Sequence, residues 1–273
     1  MTAVIETIHT DRPGIPFTRL VKVELRKMFD TRAGLWLLIS TGLLVLFAMT
    51  MTLLVLGLND DVTTSADSIA QIMVIPVSLL IPVFAILTVT GEWGQRTTLV
   101  TLTLEPHRGR VFGAKFVAVL LIALSTIIVA IVAGALTNVL YGAITGNDVR
   151  WNLGASDLVW TVALQLLYFT MAFALAMLLL NTPLAVTIFY VFALIVPFMV
   201  YSTLAQFFDW ARTGIPFVDL NFSGTQVAYG IDMRGQEITA GATEWFAFVS
   251  SIVIWIVIPG VLGAGRVLRS EVK

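Results

Sequence analysis

The stretch LWLLISTGLLVLFAMTMTLLVLGL, residues 35–58, contains no Asp, Glu, Lys, Arg or His. A transmembrane helix needs about 20 predominantly apolar residues, and this stretch meets that requirement. Five further stretches share both properties, so six spans are predicted: Leu35–Leu58, Ile69–Thr90, Phe116–Tyr141, Leu158–Leu180, Leu184–Ala205 and Trp245–Ala264. Only Asn181, Thr182 and Pro183 separate the fourth and fifth spans, and proline suits the first turn of a helix. The sequence therefore predicts a tight helical hairpin at this point.

The composition agrees with a membrane-embedded chain. The sequence is 58% hydrophobic and 12% charged, whereas a soluble domain has about 25% charged residues. The predicted fold class is an all-α integral membrane protein with six transmembrane helices. There is no Cys, and His9 and His107 both lie outside the predicted spans. These features argue against disulfides, haem ligation and an intramembrane His metal site, and the charge-free spans argue against ion chemistry inside the bilayer.

The basic residues predict the orientation. Thirteen of the 16 Lys and Arg residues lie in the N-terminal segment, the connection between the second and third spans, or the C-terminal tail. By the positive-inside rule, both termini are expected to be cytoplasmic in a plasma (inner) membrane protein. The expected organisation is a cytoplasmic segment 1–34, a transmembrane domain 35–264 and a cytoplasmic tail 265–273.

Two segments outside the spans have amphipathic or aromatic patterns. Phe17–Ala33 carries apolar residues at helical spacing and a basic face, which predicts an interfacial helix acting as a passive anchor or as a lever between a cytosolic partner and the first span. The long outer connection Gln206–Glu244 contains an aromatic-rich run. It is either an interfacial aromatic belt or a set of short helices that dip back into the outer edge of the membrane.

The connection GEWGQRTTLVTLTLEPHRGRVFGAK, residues 91–115, is the most informative cytoplasmic segment. Alternation over Thr98–Leu104 permits a strand, but a lone strand at a membrane surface has no partner, so a helix is preferred. On that helix one stripe would hold Trp93, Thr97, Val100 and Leu104. The segment is either an ordinary positive-inside loop or a docking element for a partner.

The residues of this connection resemble the signature loop of ABC-2 type transporter permeases. The matching positions are Glu92, Thr97, Pro106-x-Arg108-x-Arg110-Val111 and Lys115. The predicted architecture resembles that family along the whole chain. One departure is Arg96, at a position where the family usually has Gly.

The resemblance implies the membrane subunit of an ABC exporter, with connection 91–115 as a coupling helix that inserts into a cytosolic ATPase. The expected coupling residues are Glu92, Trp93, Thr97, Val100, Leu104, Arg108 and Arg110. The sequence contains no Gly-x4-Gly-Lys-[Ser/Thr] phosphate loop. No cofactor is therefore expected in this chain, and ATP and Mg are expected to bind a separate ATPase chain. The other expected partner is a second permease copy or a paralogue.

In the resembling family the second and fifth spans face the dimer axis, which implies a substrate pathway along them. The candidate pathway residues are Gln71, Ser78, Tyr190, Phe198 and Tyr201. An aromatic, uncharged pathway would suit a hydrophobic or amphipathic substrate such as a drug, antibiotic, lipid or peptide. In the fourth span, Thr161, Gln165 and Tyr168 share a face, for which helix–helix hydrogen bonding is the preferred interpretation.

Three other functions compete with this interpretation. An ion-coupled secondary transporter would be expected to carry ionisable residues within its spans. An intramembrane enzyme would need paired acids, a Ser with His, or a metal cluster at membrane depth. A non-transporting immunity or sensor subunit that is coupled to an ATPase would have the same connection 91–115, and the sequence leaves that alternative open.

Overall fold

The computed structural model describes residues 15–58, 65–94, 107–146, 149 and 151–269. Within these ranges the chain is helical and contains no β-strand. A short helix, α1, is followed by three long helices, α2 to α4, at Phe17–Asp30, Arg32–Leu58, Ala66–Gly94 and Arg108–Thr145. Then come α5 at Ala155–Leu179, α6 at Thr182–Phe207, α7 at Asp209–Gly214, α8 at Leu220–Tyr229 and α9 at Ala242–Arg269.

Six of these helices, α2 to α6 and α9, are long and apolar enough to cross a membrane. The protein is therefore a multi-pass membrane protein. The helices extend beyond the charge-free stretches, so charged residues lie in their first and last turns. Glu92 belongs to the end of α3, and Arg108 to the start of α4.

Helix α3 lies at the centre of the bundle. In its most apolar stretch 56% of the residues are buried, against 11% for α2, which lies at the periphery. Small residues allow close helix contacts: a Cβ atom added at Gly134 of α4 would lie 2.7 Å from the Cα of Ala70 in α3. A Cβ atom added at Gly263 of α9 would likewise lie 2.7 Å from the backbone nitrogen of Leu178 in α5. Close backbone approach at small residues is the usual packing mode of membrane helices.

The predicted hairpin between the fourth and fifth spans is confirmed. Leu180 ends α5 with a left-handed backbone, φ 50°. The side chain of Asn181 accepts a hydrogen bond from the backbone N–H of Leu184 at 3.0 Å, and Pro183 lies in the first turn of α6. An N-cap followed by proline satisfies or removes the free amides at the start of a helix.

Prolines interrupt the middle of α3 and of α6. Pro76 and Pro82 are buried within α3. In α6, residues Val191–Tyr201 form a π-helix that contains Pro197. The hydroxyl of Ser202 donates to the carbonyl of Pro197 at 2.9 Å. Such π-helical segments are rare and recur at functional sites.

The connection between α6 and α9 packs along the helices of the bundle. The indole N–H of Trp255 donates to the carbonyl of Val218 at 2.6 Å, and the hydroxyls of Ser223 and Ser251 are 2.9 Å apart. Trp255 lies about 20 Å along α9 from its first residue, at about 1.5 Å per residue. Its contact with Val218 is therefore far from the first turn of α9. The connection thus contains short helices, as one of its two predicted forms requires, and they pack against the bundle.

Candidate functional site

An ion network joins α1 to the facing ends of α3 and α4. The ammonium of Lys115 in α4 donates to Glu24 of α1 and to Glu92 of α3, each at 2.8 Å. Lys27 of α1 donates to the same two carboxylates, at 2.8 Å and 2.9 Å. Two lysines and two glutamates therefore alternate, and the network as a whole carries no net charge.

The network is mostly withdrawn from solvent. The side chain of Lys115 is 2% exposed and that of Glu24 is 7% exposed. Burial acts to lower the pKa of Lys27, but hydrogen bonds and negative charge from Glu24 and Glu92 outweigh it and raise that pKa. Charges removed from water are tolerated only when opposite charges and hydrogen bonds compensate their lost hydration. The network thus fixes α1 against the two helix ends that border residues 95–106.

The expected coupling residues fall into two groups. Glu92 and Trp93 lie in the last turn of α3, and the indole Nε1 of half-buried Trp93 has no hydrogen-bond partner among the residues described. Arg108 donates to the carbonyl of Val267 in α9 at 3.0 Å, and Arg110 donates to the carbonyl of Ile15. The remaining predicted positions, Thr97, Val100 and Leu104, lie outside the described residues.

The start of α4 is therefore a junction. Through Lys115, Arg108 and Arg110 it contacts α1, the end of α3, the last turn of α9 and the chain preceding α1. Sequence reasoning missed Glu24 and Lys27 as members of this network. The signal available was the placement of Glu24 among the apolar positions of α1, three residues after Val21 and four before Met28.

A cavity of about 710 Å³ lies between α3, α5, α6 and α8. Its polar lining includes Ser68, Gln71, Ser78, Thr161, Gln165 and Asn221, and hydroxyls of Thr225, Tyr168, Tyr190 and Tyr229. Apolar lining comes from Ile75, Leu79, Leu164, Leu194, Phe189 and Phe198, among others. No residue that lines this cavity in the described part of the chain carries a formal charge. A volume of several hundred Å³ is typical of sites for drug-sized ligands.

Hydrogen bonds hold the wall between α3 and α5. The amide Nε2 of Gln165 donates to the hydroxyl of Ser78 at 2.6 Å, and that hydroxyl donates to the carbonyl of Val74 at 3.0 Å. The amide oxygen of Gln165 is buried and has no hydrogen-bond partner among the described residues. On α6, the hydroxyl of Tyr190 donates to the carbonyl of Leu79.

The cavity brings together most of the predicted pathway residues. Gln71, Ser78, Tyr190 and Phe198 line it, whereas Tyr201 is not among its lining residues. Thr161 and Gln165 make the predicted bonds between elements, Thr161 to the hydroxyl of Tyr229 at 3.1 Å and Gln165 to Ser78.

Sequence reasoning missed part of this site. It preferred helix–helix hydrogen bonding as the role of Thr161, Gln165 and Tyr168, and these residues also line the cavity. It did not identify Asn221, Thr225 and Tyr229, which reach the cavity because α8 enters the bundle. The spacing of Asn221, Thr225 and Tyr229 on one helical face was the available signal.

Carboxylates lie near two parts of the cavity: Asp67 and Asp157 near the start of α3, and Asp219 at the end of α8 opposite Tyr229. Asp67 accepts a hydrogen bond from Gln71 at 2.9 Å. Burial, followed by the negative charges of Asp67 and Asp157, raises the pKa of Tyr229. Asp219 caps α8, accepting from the backbone N–H of Phe222 at 2.9 Å, and burial raises its pKa to about 6.

In the described ranges, no three His, Cys, Asp or Glu side chains are grouped so that they could hold a metal ion. No protein-family model matches the chain, and no curated protein matches it.

Proposed function

We propose that this chain is the membrane subunit of an ABC-type exporter in the plasma membrane, with both termini cytoplasmic, and that a separate cytosolic ATPase drives it. The observation that carries the proposal is the buried network of Glu24, Lys27, Glu92 and Lys115. It joins an N-terminal helix with a basic, exposed face to both borders of the segment whose residues resemble a coupling helix.

The network and the cavity are connected by one helix. Ser78, on the cavity wall, and Glu92, in the network, both belong to α3. They are separated by about 21 Å at about 1.5 Å per residue. A push on segment 91–115 would reach α3 and α4 together, because Lys115 holds their ends to α1. Movement of α3 would then change the wall that contains Ser78.

The buried prolines of α3 support this mechanism. Pro82 lies between the network and Ser78, and Pro76 lies on the far side of Ser78. A proline removes a backbone hydrogen bond from a helix, which makes bending easier at that point. Bending near Pro82 would let the network end of α3 move relative to the cavity end. Opposing motion in a second permease copy or a paralogue would complete a pathway between the two subunits.

The proposal is tested by purifying the chain with the ATPase encoded next to its gene and measuring ATP hydrolysis and substrate flux in liposomes. Trp93→Ala is expected to leave the protein inserted but to reduce the coupled activity about tenfold, as removal of an interface Trp often does. Trp36→Ala is the matched control, because Trp36 is 65% exposed at the start of α2, and it should leave coupling unchanged.

Two results would contradict the proposal. If no ATPase is encoded nearby or co-purifies, the assignment to an ABC exporter fails. If Trp93→Ala and Glu92→Ala leave coupling intact, segment 91–115 is not the docking element. Flux that persists without ATP but follows the proton gradient would instead support a secondary transporter, and an ATPase complex without flux would support a sensor or immunity subunit.

A further inference from the structure

We infer that the cavity between α3, α5, α6 and α8 binds an uncharged, flat molecule that carries hydroxyl groups on one face and is apolar on the other. As a statement about cargo, this inference rests on the proposed transport function. As a statement about binding, it stands on the cavity alone.

Two antiparallel helices, α5 and α8, form one side of the cavity. The hydroxyls of Thr161 in α5 and Tyr229 in α8 are 3.1 Å apart. Further along, a Cβ atom added at Gly224 of α8 would lie 2.6 Å from the side chain of Leu164 in α5. Residue numbers therefore rise along α5 while they fall along α8. This register brings Tyr168 of α5 beside the beginning of α8.

This side of the cavity is polar along its whole length. Its polar residues recur every three or four positions, which gives one stripe on each helix. The stripes are Thr161, Gln165 and Tyr168 on α5, and Asn221, Thr225 and Tyr229 on α8. From Thr161 to Tyr168 the distance is about 10 Å, at about 1.5 Å per residue. A ligand can therefore meet uncharged hydrogen-bonding groups along an entire edge or face.

The opposite side of the cavity is mostly apolar. Ser78 and Leu79, which are neighbours in α3, mark the boundary between the two sides. The hydroxyl of Ser78 accepts from Gln165 of α5 at 2.6 Å, and the carbonyl of Leu79 accepts from Tyr190 of α6. Polar and apolar groups are thus separated across the width of the cavity. The apolar lining on the α3 and α6 side is Ile72, Ile75, Leu79, Ala193, Leu194 and Phe198.

The apolar side is open to the surface of the bundle. Ile75 of α3 and Phe198 of α6 line the cavity, and they are 54% and 65% exposed. Each lies about 14 Å from an end of its helix, Ala66 for α3 and Phe207 for α6, at about 1.5 Å per residue. An opening at this depth of two membrane-spanning helices faces the hydrocarbon of the bilayer. The apolar face of the ligand would lie against this opening.

The polar side retains hydrogen-bonding capacity. Asn221 and Tyr168 line the cavity, and no described residue bonds to the side-chain amide of Asn221 or to the hydroxyl of Tyr168. An amide and a phenol can each donate and accept, so both can bond a ligand hydroxyl. The nearby carboxylates of Asp67 and Asp219 accept bonds from the protein and are not lining residues. An ionised ligand would therefore lose hydration without a counter-ion in contact.

The experiment measures equilibrium binding of tritiated bile-acid methyl esters to the full-length chain in nanodiscs of zwitterionic lipid, with empty nanodiscs as the partition background. Methyl chenodeoxycholate has two hydroxyls on one face of its steroid, and its epimer methyl ursodeoxycholate has them on opposite faces. Methyl cholate has three on one face, and cholate is the same body with a negative charge. We expect methyl cholate to bind most tightly and cholate most weakly. Methyl chenodeoxycholate should bind about fivefold more tightly than its epimer.

Substitutions localise the binding. Ile75→Trp fills the cavity and should weaken binding of methyl cholate at least tenfold, while Ile128→Trp, at a similarly exposed position of α4 outside the lining, should not. Tyr168→Phe and Asn221→Leu remove polar groups at nearly constant side-chain size. Each should weaken methyl cholate about threefold to tenfold and bring the two epimers towards equal affinity. A general loss of folding would weaken both epimers equally.

Four outcomes would overturn the inference. Equal binding of the two epimers refutes the facial arrangement of the ligand, and binding of cholate as tight as that of its ester refutes the uncharged class. Equal effects of Ile75→Trp and Ile128→Trp place the binding outside the cavity. Absence of saturable binding for every probe refutes the inference as a whole. Because no ATPase is present in these samples, each of these failures leaves the proposed coupling untouched.

Discussion

The buried network predicts an asymmetry between its two lysines. Lys115 and Lys27 contact the same two carboxylates at similar distances, but the side chain of Lys115 is 2% exposed and that of Lys27 is 41% exposed. Substitution of either lysine by methionine preserves most of the side-chain volume and removes one positive charge. Both variants leave the same two carboxylates short of one positive charge, so they differ chiefly in whether water can reach the carboxylate oxygens that the lost ammonium contacted.

The burial sets the expected magnitudes. Removing one partner from a buried ion pair costs about 3–5 kcal/mol, because it leaves an uncompensated charge without water. Lys115→Met should fall in this range, since the network then has two carboxylates and one lysine. Partly exposed pairs contribute about 0–1 kcal/mol. We expect Lys27→Met to cost about 1 kcal/mol.

A second substitution separates charge balance from packing. Glu24→Gln in the Lys115→Met background restores a network without net charge. The double variant should be more stable, by about 2 kcal/mol, than the sum of the two single effects indicates. A charge-independent packing defect would give additive losses.

The measurement is equilibrium unfolding in mixed detergent micelles, followed by circular dichroism and tryptophan fluorescence, for the wild type, the single variants Lys115→Met, Lys27→Met and Glu24→Gln, and the double variant. Equal losses for Lys115→Met and Lys27→Met, or additivity in the double variant, would refute the electrostatic argument. Proteolysis of the same samples checks that α1 is released only when Lys115 is lost.

Two further predictions concern the rest of the bundle. The stability contribution of Asp219 is fully present below its unfolded pKa, near 3.8, and is lost as pH rises through about 6. Asp219→Asn, which keeps a good N-cap, should therefore raise the unfolding free energy by up to about 3 kcal/mol above pH 7 and change it little at pH 4; a pH-independent difference would contradict this. Gly134→Ala should destabilise by about 1–3 kcal/mol in the same unfolding assay, because its Cβ would lie 2.7 Å from the Cα of Ala70. Gly42→Ala should not destabilise the protein, because its added Cβ would have no atom within 4 Å. Equal losses of unfolding free energy in the two variants would show that the close approach at Gly134 is unimportant.

Local sequence information was sufficient for the membrane helices. Each span is a charge-free, predominantly apolar run, and a bilayer selects for such runs by length and hydropathy. The hairpin at Asn181 and Pro183 was also accessible, because capping and proline effects act within one turn of the chain. The helix ends were less accessible, since polar residues such as Glu92 and Arg108 continue a helix only when tertiary contacts compensate their burial.

The sequence by itself determined that six apolar helices form and that ionisable residues lie towards their ends. It also placed Gln71, Ser78 and Tyr190 on helices that could share a site. Only the tertiary structure decided that Glu24 and Lys115, which are 91 positions apart, form one ion pair. It also decided that α8 closes the cavity. Hydropathy acts along the chain, whereas a buried charge and a cavity depend on which distant groups the packed helices bring together.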